Sequence, residues 1–403
     1  MFCTLKHLSL CLEMEAFYLF NPENDMALAC GDPYYMAPAN ARRMAAELSV
    51  LPAWYAEQGG TVWLDSPQRV EAMERQSFLP LAVNWVSEFA PVCDKVVPWG
   101  WNPSLVRRLQ EAGFPVTAYP SAERMKRIRQ LSGRQTAVRV LRNLYGQIGG
   151  DIPALGEAFV LSSIEEVELF VLSHSRALLK APWSGSGRGI QYTSGSFPIP
   201  LKGWTQHILT TQHEVIGEPF YDKFLDFAME FLADEGGQVR FIGYSLFETD
   251  KRGVYKENLL AADEAIEARI SAYIPAETLR QVGRVLQVEL AEVIGGSYQG
   301  YLGVDMMICR TKDGGYAIHP CVEINLRMNM GVVARLVYDN YVCHGVQGRY
   351  VIEYYAKPGE AWHSHLAFQE KYPLCLENGK VKSGYLSLTP VEGSTAYQAY
   401  ILI

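Results

Sequence analysis

Leu178-Leu179-Lys180-Ala181-Pro182-Trp183-Ser184-Gly185-Ser186-Gly187-Arg188-Gly189-Ile190 is the stretch on which the fold turns. An apolar run closes on a lysine, and a loop of glycines and serines follows at once. Glycines, having no Cβ, let backbone N–H groups come close to an anion and tolerate positive φ. A lysine at the strand end adds a point charge suited to phosphate oxygens. The stretch reads as a nucleotide-phosphate clamp, against the plainer alternative of a small-residue turn between two strands. Gly185, Gly187 and Gly189 lack the G-x-G-x-x-G spacing of a dinucleotide site, and no ribose-binding acid follows about 20 residues on. No Gly-Lys-Ser/Thr occurs there, so a Walker loop is excluded as well.

Working outward, 403 residues suffice for two or three domains with cores of their own. The composition, 49% hydrophobic and 20% charged, is that of a folded globular chain. With 36 basic and 44 acidic residues the net charge is −8, which gives no general attraction to nucleic acid or to an anionic membrane. No apolar run approaches the ~20 residues of a membrane-spanning helix. The eight cysteines are scattered and form no CxxC pair, so they read as reduced thiols of a cytoplasmic protein and give a zinc site little support. Met1 to Leu12 is mildly apolar but has neither the long apolar core nor the cleavage pattern of a signal peptide; a start at Met14 is the plainer reading than a targeting role, and Met1 or Met14 stays open as the start.

On the N-terminal side, Phe17-Tyr18-Leu19-Phe20 reads as a buried first strand running into the polar loop Asn21-Pro22-Glu23-Asn24-Asp25. Open α/β sheets place ligands at such strand ends, although an Asn/Asp-capped loop explains the same residues. Helices near 39–48 and 103–112, with strands at 61–64 and 92–98, predict a small parallel α/β domain. Seven arginines and lysines between Arg124 and Arg142, with no acid among them, are either a solvated helical face or an anion-facing surface. Stacking aromatics are absent from that run, which argues against nucleic acid.

The second region reads as α+β. Strands are expected at 159–161, 176–180, 211–218, 225–231 and 239–247, with a helix at 163–172 capped by Ser163. Pro275 to Ile294 carries one apolar stripe and delivers the chain to the strand 301–308. Lys312-Asp313-Gly314-Gly315 turns it back into 316–325. A helix from Gly331 to about Tyr355 and two strands, 384–388 and 396–403, complete the expectation. In the hairpin, a register aligned by the Gly-Gly turn brings Asp305 near Glu323, with Asn325 and Arg327 on the Glu323 face. Asp, Glu and Asn oxygens around one point suit a hard cation such as Mg²⁺, and an arginine beside them suits a phosphate or carboxylate. The plainer alternative is a polar hairpin face.

The Lys-terminated strand, the Ser-Gly-Ser-Gly-Arg-Gly loop, Glu218-Pro219-Phe220, Gly303-x-Asp305-x-Met307-Ile308 and Glu323-Ile324-Asn325-Leu326-Arg327 occur in an order that resembles the ATP-grasp superfamily. Its members are carboxylate–amine or carboxylate–thiol ligases. The resemblance implies an N-terminal α/β domain (1–123), a small subdomain with the glycine-rich loop (124–217) and a large subdomain with the metal hairpin (218–403), with ATP between two α+β subdomains.

It also implies roles. Lys180 would contact the ATP α- and β-phosphates, and Ser184, Gly185, Ser186, Gly187 and Gly189 would close over them. Glu218, Pro219, Phe220 and Tyr221 would line the adenine, and Asp226, or else Asp222, would hold the ribose. Asp305, Glu323 and Asn325 would bind Mg²⁺, with two ions expected and Mn²⁺ an allowed substitute, and Arg327 would steady the transferred phosphoryl group. Arg134 stands where the family usually has a second nucleotide-binding lysine. Lys256 is the candidate for a further phosphate-binding cation, or else an ordinary turn lysine.

The implied reaction is an ADP-forming, carbon–nitrogen bond-forming ligation in which a substrate carboxylate becomes an acyl phosphate that an amine or thiol attacks. The partners would be a small-molecule carboxylate and amine, with neither nucleic acid nor membrane, and with a homodimer allowed. A nucleotide-binding regulatory protein that has lost ligation is the alternative of a different class.

Overall fold

The computed structural model describes residues 16–76, 79–148, 152–184, 189–249 and 255–403. The chain begins with β1 (Ala16–Leu19), α1 (Asn24–Cys30), α2 (Ala39–Glu47), β2 (Thr61–Trp63), α3 (Pro67–Gln76), β3 (Asn84–Val86), β4 (Lys95–Pro98) and α4 (Pro103–Glu111). The four strands form a parallel sheet in the order β3-β2-β1-β4. All four residues of β1 are buried, as a central strand of a parallel sheet covered on both faces requires. Asn102 caps α4 by accepting from the Leu105 N–H, and Pro103 supplies a preset first turn. The expected strand at 92–98 shortens to β4. The edge strand β3 was not anticipated, because one exposed and two half-buried residues show no usable alternation.

Helices α5 (Ala122–Leu131) and α6 (Arg134–Gln147) carry the basic run. The resemblance places them at the start of the small subdomain. Instead Ile128, Leu131, Val140, Leu141 and Leu144 are buried in the core beneath the large sheet. Three of the arginines donate to backbone carbonyls: Arg124 to Ser297 (2.9 Å), Arg127 to Val293 (3.3 Å) and Arg129 to Leu28 (2.7 Å). Val293 and Leu28 lie in the last turns of helices, where carbonyls lack intrahelical partners and favour cations. Two of these arginines therefore face helix ends and the third a loop carbonyl, and the anion-facing reading of the run does not apply to them.

The small subdomain consists of β5 (Phe159–Leu161), α7 (Ile164–Ser173), β6 (Ala177–Lys180), β7 (Ile190–Thr193), α8 (Ile199–Gln212) and β8 (Val215–Pro219). Its antiparallel sheet runs β5-β8-β6-β7. Ser163 caps α7 as expected. Thr211, expected in a strand, lies in the last turn of α8: Leu201, Thr205 and Ile208 make a buried stripe at helical spacing that outweighs the β-branched Thr210-Thr211 pair.

The large unit runs β9 (Lys223–Ala233), β10 (Val239–Thr249), β11 (Tyr255–Leu260), α9 (Asp263–Ser271), α10 (Ala276–Ile294), β12 (Gly300–Arg310), β13 (Tyr316–Asn325), α11 (Met330–Tyr341), β14 (Gly348–Tyr354), α12 (Glu360–Lys371), β15 (Cys375–Glu377), β16 (Lys380–Ser383), β17 (Tyr385–Ser387) and β18 (Tyr397–Leu402). Eight of these strands form one sheet, β13-β12-β9-β10-β11-β14-β18-β17. The helix expected from Gly331 to about Tyr355 is only α11. Residues 349–354 instead pair in register with β18, where Tyr350 and Val351 bury against neighbouring strands.

A second core joins the two ends of the chain. Leu48, Leu51 and Trp54 pack with Val332, Val337, Leu386 and Ile401, and the Trp54 indole N–H donates to the Leu388 carbonyl at 2.7 Å. Beside them, buried Glu47 accepts from the Ala396 and Tyr397 N–H groups at 3.0 and 2.7 Å. Glu47→Ala strands both donors, and each should cost about 1–3 kcal/mol. The urea midpoint should fall accordingly, and an unchanged midpoint would show that the clasp carries no stability.

Candidate functional site

The strand β6 ends at Lys180, whose ammonium lies 2.6 Å from the Glu218 carboxylate on β8. Both side chains are buried, so each charge is stable there only because the other is present. The loop that follows is closed at its base by a hydrogen bond from the Ala181 N–H to the Gly189 carbonyl (2.8 Å). Gly189 has φ +78°, and a Cβ there would fall 2.9 Å from that of Ser184, so the closure requires glycine. Gly185, Ser186 and Gly187 lie outside the described residues.

Arg134, at the start of α6, points into the same place. Its guanidinium donates to the Ala181 carbonyl and the Ser184 hydroxyl, both at 2.7 Å, and forms an ion pair with Glu323 at 2.9 Å. The arginine expected to replace a nucleotide-binding lysine thus joins the base of the loop to the β12–β13 hairpin. Its Nε remains buried without a partner.

The hairpin β12–β13 sets Asp305 directly opposite Glu323 and Gly303 opposite Asn325. Beyond that point the register slips, so that Met307 faces His319. Pro320, which cannot donate to the ladder, lies inside the bulge. Asp305 is pushed up to about 7, first by burial and then by the Glu323 charge. Asn325 donates to Asp305 at 3.1 Å and accepts from Arg327 at 3.0 Å. The donor set is oxygen only, two carboxylates and an amide, and a cation between the carboxylates would relieve their repulsion. These residues fit Mg²⁺ on both counts. Among the described residues, no group of three or more His, Cys, Asp or Glu side chains is placed to hold a metal, so the hairpin would offer two carboxylates and an amide.

Arg327 does not lie open to a phosphate. Its fork grips Asp25 of α1 through two hydrogen bonds of 2.7 Å. The loop Asn21–Asp25 is in turn tied to the strand-end loop after β4, where the Asn21 amide donates to the Gly100 carbonyl at 2.8 Å. Asp25 is the site residue that the sequence reading placed in the right loop without assigning it a partner. Glu230 of β9 was missed. It lies across Gly303 from Asn325, accepts from the Asn329 amide at 2.7 Å, and is pushed up to about 8 by burial. The signal was a lone acid in the apolar run Phe227-Ala228-Met229-Glu230-Phe231.

The link between the two subdomains carries the remaining residues. Pro219 ends β8 in register with Ala177, and the Arg176 guanidinium lies 3.7 Å over the Phe220 ring. The Tyr221 hydroxyl accepts from the Glu157 N–H at 2.8 Å, and its ring meets His319 edge-on at 5.6 Å. His319 is buried with neither ring nitrogen partnered, and Gly156 rests against it so closely that a Cβ would lie 2.6 Å away. Asp226, on β9, pairs with Lys223 and is largely covered, whereas Asp222 is exposed beside Arg310. Lys256 is also exposed, on β11, paired with Glu248 at 3.4 Å. The structure brings Arg134, Lys180, Ser184, Glu218, Asp305, Glu323, Asn325 and Arg327 together, while Lys256 pairs outward.

No protein-family model matches the sequence, and no curated protein does. Among solved structures, the chain is similar to an ADP complex of N5-carboxyaminoimidazole ribonucleotide synthetase at 12% identity, over 96% of this chain and 92% of that one, with a TM-score of 0.50. It is likewise similar to a biotin carboxylase in complex with β,γ-ATP from Campylobacter jejuni at 10% identity, over 97% and 87%, with a TM-score of 0.51. The fold is therefore the ATP-grasp fold. Among the described residues no helix is long and apolar enough to cross a membrane.

His319 gives a pH signature. Burial, and then the Lys180 charge, push its imidazole down to about 3 from an ordinary 6.5. The unfolded chain therefore takes up a proton below about pH 6.5 that the folded chain refuses, and stability falls as the pH drops through that window. The loss between about pH 7 and pH 5 should reach about 2 kcal/mol. Urea unfolding of His319→Leu at both values should show most of that slope gone; an unaltered slope would assign it to other groups.

Proposed function

We propose that the chain is an ATP- and Mg²⁺-dependent ligase that converts a substrate carboxylate to an acyl phosphate, which an amine then attacks, releasing ADP and phosphate. The observation that supports this reading best is the opposition of Asp305, Glu323 and Asn325 to the lysine-terminated strand and its loop. Structures of the same fold hold ADP or an ATP analogue. A carboxylate oxygen attacks the γ-phosphorus, the β–γ bridging bond breaks, and ADP leaves. The amine nitrogen then adds to the acyl carbon, phosphate leaves with the carboxylate oxygen, and the nitrogen loses a proton.

Asp305, Glu323 and Asn325 would hold Mg²⁺, which would supply the positive charge that neutralises the phosphates. Lys180, held at its strand end by Glu218, is placed for the α- and β-phosphates. The glycine-rich loop that Ser184 opens would close over the phosphates and shield the acyl phosphate from water. The segment 218–221 passes the adenine, and Asp226, the better covered of the two aspartates, takes the ribose. Catalysis by such a site is mostly positioning and charge stabilisation. The reaction draws on a small-molecule carboxylate and amine in the cytoplasm.

One observation favours the second reading, a nucleotide-binding regulator without turnover: Glu323 is already satisfied by Arg134. ADP release against mixed carboxylates and amines separates the two. Glu323→Ala should abolish that release while ATP still binds, and Lys180→Ala should weaken ATP binding in a calorimetric titration. Undiminished ADP release by Glu323→Ala would remove the metal assignment, and ATP binding with no ADP under any mixture would establish the regulator.

A further inference from the structure

Away from the hairpin, a cleft of about 710 Å³ lies between α9 and α10 over the large sheet, and none of its lining residues belongs to the site described above. Small-molecule sites span about 300–1,000 Å³. The floor is Met229 of β9 with Phe241 and Tyr244 of β10, whose rings meet edge-on at 5.0 Å. Gly283 of α10 opens the cleft on one side. It has no positive φ, and an added Cβ would meet only the Met229 sulfur and methyl, at 3.4 and 3.9 Å, which is ordinary contact. Neither backbone nor packing asks for glycine there, and inside a helix it is destabilising relative to alanine. What it preserves is the depth of the cleft.

Among the described residues, five charges line the walls, and four of them are matched. Arg280 pairs with Glu267 from wall to wall at 2.6 Å, Arg284 with Glu277 at 2.6 Å, and Asp263 with Arg335 at 3.2 Å. Glu264 is left, exposed on α9 and without a partner among the described residues. Two turns further along the same helix, the Ser271 hydroxyl also lines the cleft, buried and without a hydrogen-bond partner. Seven residues of α-helix set Glu264 and Ser271 about 10 Å apart on one face. The cleft thus offers an aromatic floor between a free anion at one end and an unsatisfied hydroxyl at the other. An anionic ligand would have to break the Arg280 or Arg284 pair and would lie beside Glu264, whereas a cation meets Glu264 without breaking any pair.

We infer that this cleft binds a small aromatic ligand with an ammonium at one end and a hydroxyl at the other. The ammonium sits on Glu264, the ring on Phe241 and Met229, and the hydroxyl on Ser271. The inference is independent of the ligase reading, because it uses no residue of the nucleotide or metal site.

The test is calorimetric titration of the full-length protein with three probes. Tyramine carries both end groups, phenethylamine lacks the hydroxyl, and 3-(4-hydroxyphenyl)propionate has a carboxylate in place of the ammonium. Tyramine should bind, and the carboxylate should be weaker by about tenfold or more, or undetectable. Glu264→Gln should reduce tyramine affinity by a similar factor, and Ser271→Ala should bring tyramine down to the level of phenethylamine. Gly283→Leu should abolish binding by filling the cleft, with a urea unfolding curve to show that the variant is folded. If it is not, the Met229 methyl NMR signal of the wild type takes its place, and should shift with tyramine. No tyramine binding, equal binding of the carboxylate, an unmoved Met229 signal, or tyramine affinity untouched by Glu264→Gln would each overturn the inference. So would binding that survives in folded Gly283→Leu, or that ATP displaces.

Discussion

At the centre of the molecule two carboxylates, Asp305 and Glu323, face each other across adjacent strands. Burial and mutual repulsion raise Asp305 to about 7, so the bare protein holds this arrangement at an electrostatic disadvantage. Much of the surrounding structure offsets it. Arg134 pairs with Glu323, and Asn325 donates to Asp305. Neither supplies the double positive charge that two facing carboxylates and a polyphosphate together call for.

The groups that hold these carboxylates come from separate parts of the chain. A line of hydrogen bonds runs from Asp25 through Arg327 and Asn325 to Asp305, which ties the first helix of the N-terminal domain to the β12–β13 hairpin. A second runs from Ser184 through Arg134 to Glu323, which ties the base of the glycine-rich loop to the same hairpin. Movement of either Ser184 or the N-terminal domain therefore bears directly on the charges around Asp305 and Glu323. The core formed by Trp54, α11 and the C-terminal strands fixes the frame against which such movement is made.

The hairpin was legible in the sequence because a β-turn and strand alternation bring Asp305 and Glu323 together through local contacts alone. Lys180 at the end of β6 was legible in the same way, as the last residue of a short apolar run. The partners of these residues were not. Arg134 and Glu323 are 189 positions apart, and Arg327 and Asp25 are 302 apart. Nothing in the local pattern chooses between a phosphate and a carboxylate as the arginine's counter-charge. The basic run of α5 misled for a related reason, since three of its arginines meet backbone carbonyls, which leave no charge signal in a sequence. The helix expected through residue 355 failed because β18, which recruits 348–354 into the sheet, lies some fifty residues downstream.

The central claim is that Asp305, Glu323 and Asn325 hold a divalent cation that the phosphates of ATP share. Its most direct test is the calorimetric affinity for ATP with Mg²⁺ and with a chelator, for the wild type and for Asp305→Asn. The account predicts that Mg²⁺ tightens ATP binding to the wild type by at least about tenfold, about 1.4 kcal/mol, and that the variant loses most of this difference. Equal affinity with and without Mg²⁺ in the wild type would contradict it.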